Sequence, residues 1–394
     1  MTRSRRKPAH FPARDQVRRP PAVARVRSPA DLAACVPELL GFHAAESLVV
    51  LALREPHGRL GLTMRMDLAP LDDPPGSGDL RCDCLLDGGE EGCQALSCLD
   101  RSGPERSVRD ELLDTVVTGL QRDGATSAAV VVLTDEADWH DELPRSDLVG
   151  ELCCVLDAAG FPVVEALLVR AGRWWSYLCR GECCPRSGQD VDAGRGPAGL
   201  IAAERVLAGE VVLGSRAELA AQLDPVLPLG AAPRRAAFEA AADALADELR
   251  RDGAAAEAAA VARVRAALVD PERLSEEEGA ACTAALWLPS VRQAAVSWAT
   301  SDAAAVRRFG TVLCRAMPAP QVAPALLVAG AGAYLDGNGA LARVALERCA
   351  SIDPGLTLAG LLLTALDQQL PPRELKAALR QAGGRSETRH GPPR

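Results

Sequence analysis

Aromatic side chains are scarce in this chain, at 3% of 394 residues, so its cores must be packed from Leu, Val and Ala rather than from rings. Lysine is almost missing: it occurs only at Lys7 and Lys376, and Arg supplies the rest of the basic charge. With the excess of Ala, Gly and Pro, this reads as a GC-rich coding bias without functional content. No apolar run reaches the roughly 18 residues of a membrane-spanning helix; the longest, around 322–335 and 356–366, are shorter. Arg5-Arg6 is followed by no apolar stretch within the first 27 residues. Neither an export leader nor a membrane anchor is therefore expected, and the expected location is cytoplasmic. A glycine-rich phosphate loop is also lacking, because Gly88-Gly89 and Gly92 have neither a preceding strand nor a lysine. The sequence thus gives no support for nucleotide binding.

What is present is a globular composition, 48% apolar and 25% charged, in a chain long enough for about two or three domains. The net charge of −9 is unevenly spread: residues 1–27 carry nine Lys/Arg against Asp15, a local +8 that leaves −17 for the remainder. The basic tail has one aromatic, Phe11, and so no interleaved aromatic platform, and it has no helical period, so it reads as a solvated, disordered arm. The acidic body argues against a nucleic-acid partner. Thirteen cysteines, an odd number, without a leader read as reduced thiols. Burial or metal binding then accounts for them better than a disulfide framework.

Along the chain, Ser28-Pro29-Ala30-Asp31 opens a helix with an N-cap, a first-turn proline and an acid at the positive dipole end. Leu32, Cys35, Val36, Leu39 and Leu40 continue it to Gly41. Ser47–Leu53 is a continuous apolar strand. From Arg59 to Leu68 apolar residues alternate with polar ones, which makes a hairpin with one buried face. Residues 70–104 break every period and hold Cys82, Cys84, Cys93 and Cys98, so they read as a Cys-rich insertion loop. A helix at about 105–122, a strand at 128–133, a helix at 145–159 and strands at 162–170 and 174–179 follow. This order predicts an α/β domain over 28–225, a mixed sheet with flanking helices and some parallel pairing.

From residue 197 onward only Val211-Val212-Leu213 reads as a short strand, and Ala-rich helices dominate. Pro225, Pro228, Gly230 and Pro233 mark a boundary, which leaves an all-α domain over 235–382 and a disordered tail at 383–394. Within it Leu326, Gly330, Ala342, Leu346 and Pro354 fall at the spacing of a tetratricopeptide unit, with Asp336-Gly337-Asn338-Gly339 as its turn. One such unit is fewer than the roughly three that stacking needs. It reads as a tetratricopeptide-like cap on a helical bundle, and it points to a protein partner.

Three segments together carry a resemblance: Pro37-x-Leu39-Leu40-Gly41-Phe42-His43-x-x-x-Ser47-Leu48-Val49-Val50; Thr63-x-Arg65-x-Asp67-Leu68; and Trp175-Ser176-Tyr177-x-Cys179-x-x-x-Cys183-Cys184-Pro185. They resemble an actinobacterial domain-of-unknown-function family, numbered four-one-nine-two. The resemblance continues through 202–213 and 337–372 and so covers most of the chain. It implies no activity, ligand or partner. The four-cysteine stretch at 82–98 departs from the family pattern and reads as a lineage-specific insertion.

The sites where chemistry could reside are incomplete ones. Cys179, Cys183 and Cys184 form half of a zinc site by spacing, and Cys82, Cys84, Cys93 and Cys98 are the residues that could complete it. The alternative is small buried hydrophobes, or a redox-labile loop. His43 lies four residues from Ser47, which suggests a base and a nucleophile. Yet the nucleophile elbow needs its strand before the serine, so turn capping is the competing reading. Arg65 and Asp67, on the polar face of a strand, could bind a ligand or pair on the sheet. Asp135, Glu136, Asp138, His140, Asp141 and Glu142 follow a buried strand and could hold a hard cation, or form a solvated loop. The leading expectation is a non-enzymatic regulatory or protein-interaction role through the helical domain. The alternatives are a hydrolase-like α/β enzyme or a metal-binding protein using the cysteines and the acidic loop, with zinc as the cofactor the cysteines would take.

Overall fold

The computed structural model describes residues 25–69, 107–136, 139, 142–179, 181, 183–191, 196–207, 210–226 and 230–388. The first helix, α1 (Pro29–Leu40), begins and ends as its signals dictate. Ser28 Oγ accepts the Asp31 N–H at 3.1 Å, and Gly41, at φ 80°, donates its N–H to Pro37 O at 2.8 Å. There follow β1 (Ser47–Arg54), β2 (Arg59–Asp67), α2 (Val108–Asp123), β3 (Ser127–Leu133), α3 (Ser146–Ala158), β4 (Val163–Arg170), β5 (Arg173–Ser176), β6 (Gln189–Asp190) and α4 (Gly196–Leu207). The strands form one mixed sheet in the order β2-β1-β3-β4-β5-β6. β3 and β4 are parallel, with α3 as their crossover. The other neighbouring pairs are antiparallel.

Strand alternation explains why residues 48–53 of β1 and 128–133 of β3 are all apolar. Leu48, Val50, Val130, Val132 and Leu168 pack with Leu113, Leu120, Leu152 and Leu156 of α2 and α3 on one face. Val49, Leu51, Ala129, Val131 and Leu167 pack with Leu32 and Val36 of α1 on the other. A sheet covered on both faces needs no polar register. In β2 the alternation holds where the strand lies over this core, at Met64 and Leu68, and fails at Leu60, 42% exposed beside the hairpin turn.

The run Val211–Leu213 does not form the short strand its composition predicts. It makes one parallel bridge, Leu213 with Phe42. His43 donates to Leu213 O at 2.8 Å and Leu213 donates to Gly41 O at 3.0 Å. Ser215 then caps the next helix by accepting the Glu218 N–H, and the chain leaves before a second rung can form.

The remainder is helical: α5 (Arg216–Ala221), α6 (Ala231–Arg251), α7 (Gly253–Ala267), α8 (Glu276–Leu286), α9 (Pro289–Trp298), α10 (Ala303–Ala316), α11 (Ala323–Leu335), α12 (Gly339–Ile352), α13 (Thr357–Asp367) and α14 (Pro372–Thr388). These share one core, in which all thirteen residues of α11 are buried. α10 and α11 meet backbone to backbone. A Cβ on Gly332 would lie 2.4 Å from Arg307 N, and one on Gly310 would lie 2.5 Å from Ala329 N. A small residue also lets α11 and α12 approach, where Leu346 Cγ stands 2.7 Å from the place a Cβ on Gly330 would take.

The two halves interlock. Phe42, 1% exposed, leaves the sheet half and packs in the helical core with Leu219 and Leu223. Arg307 of α10 pairs with Glu210 and, at 2.8 Å, with Asp336. Arg122 of α2 donates to Gln368 O, and Arg373 donates to Arg122 O at 3.1 Å. No helix among the described residues is long and apolar enough to cross a membrane.

Candidate metal centre

Four of the polar residues singled out in the sequence, Ser47, Arg65, Asp67 and Glu136, are engaged within the fold. Ser47 is fully buried at the start of β1. Its hydroxyl donates to Ala45 O at 2.7 Å and accepts from Arg65 Nε at 2.9 Å. Arg65 also reaches Asp67 at 2.5 Å, so these two pair on the sheet. His43 is exposed and its backbone is held by Leu213. No base–nucleophile pair forms, because both hydrogen-bonding roles of the Ser47 hydroxyl are already filled. Glu46, which stands with His43 and Ser47 between the end of α1 and the start of β1, takes a role that its spacing did not announce. At φ 42° its carboxylate turns onto the end of β3, accepting from Thr134 Oγ1 at 2.9 Å and from Asp135 N at 2.7 Å. The Thr134 hydroxyl and the Asp135 backbone are thereby fixed, the Asp135 carboxylate stays exposed, and Glu136 pairs with Arg145 at 3.3 Å. Asp138, His140 and Asp141 lie outside the described residues, as do Cys82, Cys84, Cys93, Cys98 and most of the basic tail.

The cysteines after β5 behave differently. Cys179, Cys183 and Cys184 each place a sulfur within 4.8 Å of the other two. Cys179 Sγ and Cys183 Sγ are 3.3 Å apart. The local chain is held in place on both sides. Before the triad, Ser176 Oγ donates to Glu165 at 3.0 Å and accepts the Leu178 N–H at 3.2 Å. Tyr177 OH donates to Pro144 O at 2.6 Å. Within it, the Cys184 N–H closes a turn on Gly181 O at 2.9 Å. After it, Gln189 donates from its side chain to Cys183 O. Trp175 Nε1 donates to Arg186 O at 3.0 Å, and Gly188 lies against the Trp175 ring. At φ +71°, with a Cβ position only 2.5 Å from that ring, this residue has to be glycine.

The three thiols are electrostatically unequal. Cys179 is drawn below the usual thiol range, chiefly by a hydrogen bond from the Gly181 backbone and then by the neighbouring Cys183 and Cys184 thiols. Cys184 is pushed up to about 12, first by burial and then because it holds its proton toward Cys179. The cluster therefore favours one sulfur as thiolate while its neighbour Cys184 keeps its proton, an arrangement in which a soft cation can take the place of protons. Elsewhere the expected plain burial holds. Cys35, Cys153, Cys282, Cys314 and Cys349 are inside the protein, and desolvation raises all of them, Cys35 and Cys282 to about 11 and Cys153 and Cys349 to about 12.

Cys179 and Cys184 also form part of the wall of a cavity of about 650 Å³ between the β4–β5 hairpin and the N-terminal end of α3. Trp139 and Trp175 meet there edge to face, centroids 5.1 Å apart and planes at 84°. The Arg170 guanidinium lies 5.7 Å from the centre of the Trp139 ring. Sequence reading did not anticipate this cavity. Its one available signal was the placing of Trp175 two residues before Tyr177 and four before Cys179.

Residues 29–373 match the model of a protein family described as Domain of unknown function (DUF4192). No curated protein and no solved structure matches the chain.

Proposed function

The chain belongs to this DUF4192 family, whose description assigns no activity, so function has to be read from the site, and we propose that it is a metal-binding protein holding one Zn²⁺ through Cys179, Cys183 and Cys184. The supporting observation is the triad itself, with three sulfurs within 4.8 Å of one another. Zn–S bonds of about 2.3 Å in a tetrahedron put sulfurs roughly 3.8 Å apart, so small side-chain rotations suffice. Thiolates favour zinc over hard cations. A fourth ligand completes the tetrahedron, and Cys82, Cys84, Cys93 and Cys98 are the sequence's candidates for it. A bound ion would fix the loop between β5 and β6 and with it one wall of the cavity, a structural and regulatory role rather than a hydrolytic one. Among the roles the sequence left open, this one has a formed constellation behind it.

Elemental analysis of full-length protein purified without chelator tests the proposal. We expect about one zinc per chain, falling below about 0.2 in Cys183→Ser. Thiols of the triad should react with a disulfide reagent only after chelation. A metal content near zero in the unaltered protein, with these thiols freely titratable, overturns it.

A further inference from the structure

The cavity beside the thiols has a lining that metal binding does not use. It lies past the carboxyl ends of β3 and β4, the parallel pair, which stand side by side at Leu133 and Val169. Open α/β sheets take ligands at that edge, where the loops leaving parallel strands part. A volume of about 650 Å³ is within the range of small-molecule sites. The charged residues of its described lining are Arg170, Arg173 and Arg186 against Glu142; Arg173 also pairs with Asp190 at 3.3 Å, which still leaves three cations against two acids. Arginine forks match the oxygens of a phosphate two at a time. Trp139 and Trp175 add two flat apolar walls at nearly a right angle, surfaces on which an aromatic ring can rest. Ser146, the first residue of α3, lines the same space.

We propose that this cavity binds a small aromatic phosphate of nucleoside-monophosphate size, with its phosphate among the arginines and its ring against the tryptophans. Recognition would come from side chains brought together by the β3–β4 crossover, which is why a sequence without a phosphate loop gives no sign of it. The inference does not require a metal at the triad, and metal content measured on the same samples keeps the two readings apart.

The test is a titration of the full-length protein with adenosine monophosphate, adenosine and inorganic phosphate, followed by tryptophan fluorescence and calorimetry. We expect saturable binding of the monophosphate with a Kd below about 100 µM, and binding at least about tenfold weaker for adenosine and for phosphate alone. The double variant Arg170→Gln, Arg173→Gln should weaken monophosphate binding at least about tenfold. Arg173→Gln alone, at a half-exposed position, should weaken it about threefold and guards against loss of folding in the double variant. Absence of saturable binding for the adenine, guanine, cytosine and uracil monophosphates up to about 1 mM overturns the proposal. Equal affinity for inorganic phosphate, or unchanged affinity in folded variants, also overturns it.

Discussion

In the helical half the described cysteines, Cys282, Cys314 and Cys349, are all buried, and desolvation holds them well above the range where a thiol reacts. In the sheet half Cys35, Cys153 and Cys154 are likewise inside, whereas Cys179, Cys183 and Cys184 gather on a loop at the edge of a cavity. The contrast extends beyond sulfur. The helical half is packed by small residues, with Gly310 and Gly332 bringing α10 and α11 into backbone contact. The sheet half is packed by Leu and Val on both faces and sends its loops outward past the ends of parallel strands. A sheet's interior is closed, but its edges collect loop residues from distant parts of the sequence. The constellation described here lies at such an edge, in the sheet half.

The comparison can be broken most directly at Phe42, the sheet-half residue buried in the helical core. Phe42→Ala should cost about 4 kcal/mol and split a single unfolding transition into two, as seen by calorimetry. One unshifted transition would show that the halves are coupled elsewhere. Next in size, Gly332→Ala forces a methyl group against the α10 backbone and should cost about 3 kcal/mol, lowering the melting temperature without lowering the zinc content of the folded protein. Loss of zinc in that variant would mean that the two halves do not divide packing from chemistry. The smallest effect sharpens the metal reading. With its pKa raised to about 12, Cys184 keeps its proton at neutral pH, so an ion must displace that proton to bind. Zinc affinity should therefore fall at least about tenfold per unit of falling pH, equivalent to about 1.4 kcal/mol. An affinity that stays flat between pH 8 and about 6 would remove Cys184 from the ligand set.

Legibility in the sequence followed distance along the chain. The cap and stop of α1, the two-faced burial of β1 and β3, and the cysteine triad are set by residues within a few positions of one another, so a local reading finds them. The run Val211–Leu213 misled because strand composition does not provide a partner, and among the described residues it forms a single bridge, Leu213 with Phe42. The cavity was not legible because Trp139, Arg170 and Trp175 come from separate segments, and the parallel pairing of β3 with β4 is what brings those segments to one edge. Ser47 and His43 looked like a pair for the opposite reason. Their nearness in sequence is real, but the buried hydroxyl is already shared between Ala45 and Arg65.

The complete burial of α11 has a consequence in time. A ribosome releases the sheet half first, and domains generally fold in the order they emerge. When α11 emerges, every one of its thirteen residues is destined for the interior, while α12, α13 and α14, part of its cover, have yet to leave the ribosome. For that interval the nascent chain displays a wholly apolar helix with no polar face to turn toward water. A message truncated just past Leu335 would make that interval permanent, and its product would be a natural client for chaperones and proteases.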